Sequence, residues 1–573
     1  MTLFLLYFCS ASTLAGLAFG YGRPLSPGTA ALALVIGGIA AALGAGFSRP
    51  RLPLQRPGVW GWASLALFAF FALRSFLWLV FESGDQLSVL SPNNLGDMSL
   101  HLCLIRQIAN GTPLWPQNPI FSGTQLSYPL GIDLFNALGV IAGADLIRSL
   151  IWTGLLGSWL TAMALWRWGG AFCLTGFLCN GGLLGFALLS GSPLADFQAE
   201  AAWKSFPLAL LVTQRGLLFA LPAGLLLLSS WRSRWLAENA PPPGPSSPEP
   251  SPSRLPFWGE LWLYSTLPLF HPHSFLFLSF LLGCWFLFIP HARRPILLLV
   301  GAAFIPATVL MACVTNGFHG PKMLGWQPGW IRENQGFIAF WLSNLGFLPL
   351  FVLLLLNRLR DRTALPDRLA VLPALALFLT CCMVRFAPWA WDNTKLMLWC
   401  YLLLLPSLHS RLLSSWTPTA RILACILLFF SGGVSLLGGL LTKPDGHPIG
   451  NRSTLDGVQS AVKDLPATAV FAGAPTYNHP LLLLGRPMAM GYEGHVWSHG
   501  YEWAPRKKQV EQILLGEPGW KQTAESLGVR YLFWGDMEKE LYPDSEEPWL
   551  QENLRLSSGP WGALYDLQHP RQP

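Results

Sequence analysis

Stretches of about twenty almost uninterrupted apolar residues recur along the first three-quarters of this 573-residue chain. A helix of that length crosses a bilayer core. Candidate windows fall at 3–20, 29–47, 60–81, 147–166, 170–191, 205–230, 258–271, 272–290, 296–314, 337–357, 366–384, 391–408 and 419–441. Only 12% of residues are charged, about half the share in a soluble domain. The expected fold is an all-α polytopic membrane protein of about 13 transmembrane helices. The first apolar stretch lacks a basic n-region and a small-residue cleavage site, so it is expected to be a retained span.

Arginines set the orientation, because short cytoplasmic loops carry the excess of Lys and Arg. Arg49, Arg51 and Arg56, then Arg167, then Arg232, Arg234 and Arg254, then Arg293 and Arg294, then Arg358, Arg360 and Arg362, then Arg411 and Arg421 all fall on one side under a single alternation. This places the N-terminus inside and the C-terminus outside. The net charge of +7 therefore reports topology, and nucleic acid is not an expected partner. The ten cysteines are scattered, with no CxxC pair and none after 442. Neither a disulfide framework nor a zinc site follows.

Two units are expected. Residues 1–441 form the transmembrane domain, with an outer loop at 82–130 and a Pro/Ser-rich inner linker at 232–257, expected to be disordered. Residues 442–573 change to a soluble composition. Strand-like runs at 469–472 and 529–534 alternate with helix-like patterns at 454–464 and 505–526, which predicts a small outer (periplasmic) α/β domain.

The polar residues able to do chemistry gather on the outer side. In the 82–130 loop, Asp97 and His101 stand four residues apart, on one face of a short helix. Asp97 reads either as a helix cap or as a general base, with His101 orienting it or touching phosphate. Arg385, Asp392 and Lys395 flank an apolar span, and charged groups there usually face a cavity. Asp392 and Lys395, one turn apart, could also neutralise each other. Arg215 lies inside the 205–230 window, and its forked, permanently charged guanidinium suits a lipid-linked phosphate. His271 and His273 bracket a proline. The run from 478 to 500 is the densest polar-aromatic stretch in the chain, with His479, Tyr492, Glu493, His495, Trp497 and His499 as candidate contacts to an acceptor or sugar. No nucleotide-binding glycine motif is present.

These segments together resemble the GT-C superfamily of membrane glycosyltransferases, in its branch of uncharacterised bacterial and archaeal multispan proteins. The resemblance rests on Gly96-Asp97-Met98-Ser99-Leu100-His101, Gln214-Arg215-Gly216, His271-Pro272-His273-Ser274, Trp341 to Gly346, Trp391-Asp392-Asn393-Thr394-Lys395 and the 478–500 run. It implies a polyprenyl-phosphate-linked sugar as substrate and places Asp97 at the superfamily's catalytic acidic position. Three apolar windows precede the loop where the superfamily has one, two more than expected. No second acidic residue adjoins Asp97, so the metal is unknown and a divalent cation is only a candidate cofactor. The expected function is an inverting sugar transfer to an acceptor hydroxyl on a glycan, lipid or protein, at the outer face of a bacterial cytoplasmic membrane. Arg215, Arg385, Lys395 and Asp392 are expected at the donor phosphate. His271, His273 and the 478–500 residues are expected at the acceptor or sugar. A transporter or lipid flippase and a non-catalytic envelope assembly protein are the alternatives; a transporter predicts internal repeats, and the sequence shows none.

Overall fold

A computed structural model describes residues 1–47, 56–236, 255–319, 324–552 and 554–568. Among these, eight helices are long and apolar enough to cross a membrane: Thr2–Gly20, Pro27–Phe47, Val59–Leu77, Leu146–Leu178, Pro290–Val314, Arg362–Cys381, Ala390–Ser415 and Pro418–Leu441. A ninth arises if Phe337–Leu345 and Leu348–Arg358, bent by 83°, count as one span. The chain is thus an integral membrane protein of the multi-pass type.

Nine of the thirteen expected windows are matched by these helices, counting the bent pair as one span, among the described residues. Hydropathy windows measure apolar length and miss breaks in the backbone. The 147–166 and 170–191 windows fall on two helices of the stretch Leu146–Leu178, separated by a kink at Gly169–Gly170, and the second window runs on past Leu178 into a 3-10 turn at Leu184–Ser190. The 205–230 window holds a π-helical turn at Pro207–Leu211, a non-helical stretch and then the helix Leu217–Trp231. The 258–290 region yields two short helices, Phe257–Phe270 and Pro272–Phe288, joined at the extended residue His271. Irregular backbone is tolerated at membrane depth only where protein buries it or it borders a cavity, so these breaks mark where to look for a site.

The described arginines of the short loops gather at one end of the bundle. Arg234 Nη1 lies 3.0 Å from Glu260 Oε2, Arg411 Nε lies 2.6 Å from Asp367 Oδ2, and Arg232 sits over the Trp168 ring. The helices Leu217–Trp231 and Thr394–Ser407 run from Arg215 and Lys395 at one end towards these arginines at the other. The expected linker at 232–257 mostly covers 237–254, outside the described residues. Its first five residues are ordered, a helical turn with Trp235 and Leu236 buried.

The 82–130 loop and the tail are stitched together by backbone. Strand Gln86–Val89 pairs antiparallel with His447–Asn451, bringing Gln86 opposite Asn451. Further on, Met488 N donates to Pro119 O (2.8 Å), Gly491 N to Ile120 O (2.9 Å) and Ser122 N to Ala489 O (3.2 Å). Arg506 clamps this seam, donating to the Ser122 and Ala489 carbonyls and lying over the Phe121 ring. The tail sheet has four strands. Val470–Ala472 runs parallel to Val529–Trp534, which pairs antiparallel with Gly562–Asp566, followed by Arg555–Gly559. Helices Arg452–Val462, Trp503–Leu515 and Trp520–Ser526 pack around it.

Candidate functional site

The loop helix Leu95–Ala109 carries Asp97 in its first turn, where the helix dipole favours an anion. Asp97 is not the cap: Asn94 holds that position, and the Asp97 carboxylate has no hydrogen-bond partner among the described residues. It is half-buried and open to the space around it. Its carboxyl is pushed up to about 6, chiefly by burial, with His101 and Lys395 opposing and Asp392 reinforcing the rise. A carboxylate poised near neutrality suits a general base.

His101, one turn further along, does not orient Asp97 by a hydrogen bond. Its Nδ1 lies 3.0 and 2.9 Å from the two carboxylate oxygens of Asp133, and its Nε2 lies 3.2 Å from the Thr213 carbonyl oxygen. Asp133 belongs to the helix Gly131–Ile141 and is fully buried. Both ring nitrogens face acceptors, so the ring is satisfied when both carry protons. His101 thereby ties the loop helix to the non-helical stretch of the 205–230 segment.

Two residues beyond Thr213 stands Arg215. It is 0% exposed, and none of its three guanidinium nitrogens has a hydrogen-bond partner among the described residues. Asp133 and Tyr128 act on it electrostatically. A buried guanidinium that donates to nothing is costly, and its donors are free to take an acceptor. The break that presents it depends on Gly216, where a Cβ would meet the Phe270 carbonyl oxygen at 2.0 Å. Only glycine allows this close approach to the end of the neighbouring helix.

His271 follows that same helix end. Its Nδ1 meets the Ser274 hydroxyl at 2.8 Å, while its Nε2 is buried without a partner. His273 lies 5.7 Å away, ring to ring, and feels both Asp392 and Lys395. Asp392 and Lys395 form an ion pair at 3.1 Å, so Lys395 shares its charge with Asp392. Tyr128, within the turn sequence Ser127-Tyr128-Pro129, stands in the middle: its ring is 6.0 Å from His101 and 5.3 Å from His499. Burial raises its phenol, and Asp133, Asp97 and Asp392 add to the rise.

The tail closes the group. Helix Glu493–Ser498 places His495 against the loop helix, so that a Cβ on Gly96 would lie 2.8 Å from His495 Nε2. Burial lowers His495 to about 3 and His499 to about 4, keeping both rings neutral. His499 Nδ1 is buried without a partner. Tyr492 and Trp497 are exposed at the rim, Tyr492 5.3 Å from His495 and Trp497 6.4 Å from Trp389.

Three predicted site residues are engaged elsewhere. His479 is fully buried in the tail, with Nε2 2.8 Å from Glu538 and Nδ1 accepting from Leu481 N, so it packs the domain and offers nothing to an acceptor. Glu493 pairs with Lys507 at 2.9 Å. Arg385 donates to the Pro388 carbonyl from Val384–Arg385, a short strand paired antiparallel with Gly325–Trp326. Among the described residues no three His, Cys, Asp or Glu side chains converge as metal ligands. The described residues thus do not make a ready divalent-cation site.

Comparison with protein-family models and with curated proteins finds no match. The chain is similar to solved structures of the Archaeoglobus fulgidus oligosaccharyltransferase. One, tethered by a disulfide bond to an acceptor peptide containing the NVT sequon, is 12% identical, with 90% of this chain and 74% of that chain covered and a TM-score of 0.45. A second, the oligosaccharyltransferase AglB in complex with an inhibitory peptide and a dolichol-phosphate, is 11% identical over 90% and 75%, with a TM-score of 0.48. The apo form is 12% identical over 83% and 69%, also at 0.48.

Proposed function

We propose that the chain is an inverting glycosyltransferase that moves a sugar from a polyprenyl-phosphate donor to an acceptor hydroxyl at the outer face of a bacterial cytoplasmic membrane. One observation carries the reading. An unpaired, accessible carboxylate at Asp97 and a buried, unpartnered guanidinium at Arg215 are held together through Asp133, His101 and the Thr213 carbonyl. A base and an anion receptor fixed on one frame are the two parts that displacement at an anomeric carbon needs.

Asp97 takes the proton from the acceptor hydroxyl. The freed oxygen forms a bond to the anomeric carbon from the face opposite the phosphate. The anomeric C–O bond breaks, its electron pair leaves with the phosphate, and the configuration inverts. Arg215 receives the charge that develops on the departing oxygen, in surroundings of low dielectric where such stabilisation is strongest. Lys395, tempered by Asp392, supplies a second positive group. His271, His495 and His499 hydrogen-bond hydroxyls of the sugar and the acceptor. The tail domain, on the outer side, frames the acceptor.

The test is transfer of radiolabelled sugar from lipid extracts of the native host to extracted acceptors, comparing the wild type with Asp97→Asn. Equal transfer by both removes the base assignment and the mechanism with it.

A further inference from the structure

A second cleft, away from Asp97, has the chemistry of a carbohydrate site. It lies between the 81–89 hairpin and the tail sheet and encloses about 310 Å³, at the lower end of the range for ligand pockets, about 300–1,000 Å³. Its floor is aromatic. Trp561, in the turn between the last two strands, stacks on Phe533 at 5.8 Å and 24°. Two glycines let that indole lie flat: a Cβ on Gly457 would meet its Cδ1 at 2.3 Å, and one on Gly559 its Nε1 at 2.7 Å. The walls are polar. Gln86 and Asn451, cross-strand partners in the hairpin–tail pairing, stand side by side. Asn478 faces the cleft from a tail loop and Asp536 from the first turn of the helix Asp536–Leu541. None of these four side chains has a hydrogen-bond partner among the described residues except solvent-facing space.

A flat indole beside planar amides and one carboxylate matches a pyranose. The C–H face of the sugar lies on the electron-rich ring, and amides and carboxylates take its hydroxyls as paired donors and acceptors. The cleft also connects to the catalytic group. Asn478 adjoins Tyr477, whose ring is 5.8 Å from Tyr492. Tyr492 is 5.3 Å from His495, which touches the backbone beside Asp97. Aromatic side chains thus mark a track from base to cleft.

We propose that this cleft is a distal saccharide subsite, holding sugar units of an extended glycan while its reacting end lies at Asp97. The proposal rests on the glycosyltransferase reading for the identity of its ligand, but its binding does not require turnover.

The experiment uses the full chain in nanodiscs on an array of bacterial and synthetic glycans, with empty nanodiscs as the blank. The expected result is retention of a related set of glycans, weakened roughly tenfold by Trp561→Ala and by several-fold in Asn478→Ala, with Asp97→Asn retained like the wild type. Asn478→Ala alters a half-exposed side chain, so it remains informative if Trp561→Ala does not fold. No retention above the blank overturns the proposal. Equal retention by wild type and Asn478→Ala, with Trp561→Ala either equal or unfolded, overturns it too. Loss of retention in Asp97→Asn alone moves the glycan to the catalytic group, which overturns the distal subsite and leaves the transferase reading standing. Retention that depends on Trp561 or Asn478, in a protein whose Asp97→Asn variant still transfers sugar, upholds the cleft and removes the base.

Discussion

His101 and Asp133, 32 residues apart in the chain, meet at 2.9 Å with neither side chain more than 3% exposed. Removing one member of such a pair leaves the other buried without its partner. Asp133→Asn keeps the shape and one acceptor oxygen while losing the charge. It should cost about 1–3 kcal/mol in chemical denaturation and reduce transfer by roughly tenfold or more, because Thr213 and Arg215 lose their strut. His101→Ala in the Asp133→Asn background should add little beyond the first change, since neighbours in one network are not additive. Fully additive losses in both stability and rate would show that His101 and Asp133 act separately.

Arg215 should behave in the opposite way on stability. Its charge is buried with no hydrogen bonds to lose, so Arg215→Met is expected to leave the melting temperature unchanged or higher. Binding of a polyprenyl phosphate, measured by scintillation proximity, should fall roughly a hundredfold, as for loss of a charged hydrogen-bonding anchor. Unchanged lipid-phosphate affinity in a well-folded variant would remove Arg215 from the donor site.

Asp97 links rate to pH. Its folded-state pKa, about 6, lies above the unfolded carboxyl value of about 4. The base is therefore active when deprotonated, and turnover should decline tenfold per unit as pH falls below about 6. The same raised value makes ionised Asp97 a cost to folding above pH 6, a cost absent below about 4. Asp97→Asn should lose about 10²- to 10⁴-fold in rate yet gain on the order of 1 kcal/mol at pH 8, after discounting for partial exposure, with no gain at pH 4. A flat pH–rate profile between 5 and 8 would argue against Asp97.

Gly96 tests the contact between loop and tail. Alanine there brings a methyl to 2.8 Å from His495 Nε2, and the ring must swing away. The apparent acceptor KM should rise several-fold while kcat and lipid-phosphate binding stay near normal. A wild-type acceptor KM in Gly96→Ala would mean that His495 takes no part in holding the acceptor.

Part of this was legible from residue order. Asp97 and His101 declare a shared face by their spacing, and Arg215 stands out as a charge in an apolar run. Asp133 did not. In Gly131-Ile132-Asp133-Leu134-Phe135-Asn136 a lone acid reads as the wet side of a short helix, and only the fold shows it turned inward to a histidine on another element. Tyr128 was hidden for a similar reason, since Ser127-Tyr128-Pro129 is a turn whatever its aromatic ring touches. The windows without a single long helix are those where the local signals were real but their consequence was not local. Gly216 and His271 break their segments because each packs against the other's surroundings, which no hydropathy window records. His479, conspicuous in a dense polar run, was claimed by Glu538, 59 residues later.

The pairing of Gln86 with Asn451 also imposes an order in time. A ribosome adding about 5–20 residues per second makes the second partner roughly 20–70 s after the first. During that interval the 81–89 hairpin has emerged with an open edge, and residues 119–122 lack the 488–491 segment that later covers them. The loop helix bearing Asp97 is bordered by both unfinished seams. The surroundings of Asp97 are therefore completed by the last quarter of the polypeptide, so in a nascent chain already threaded through the bilayer this group stays unfinished until the tail folds back upon the loop made near its beginning.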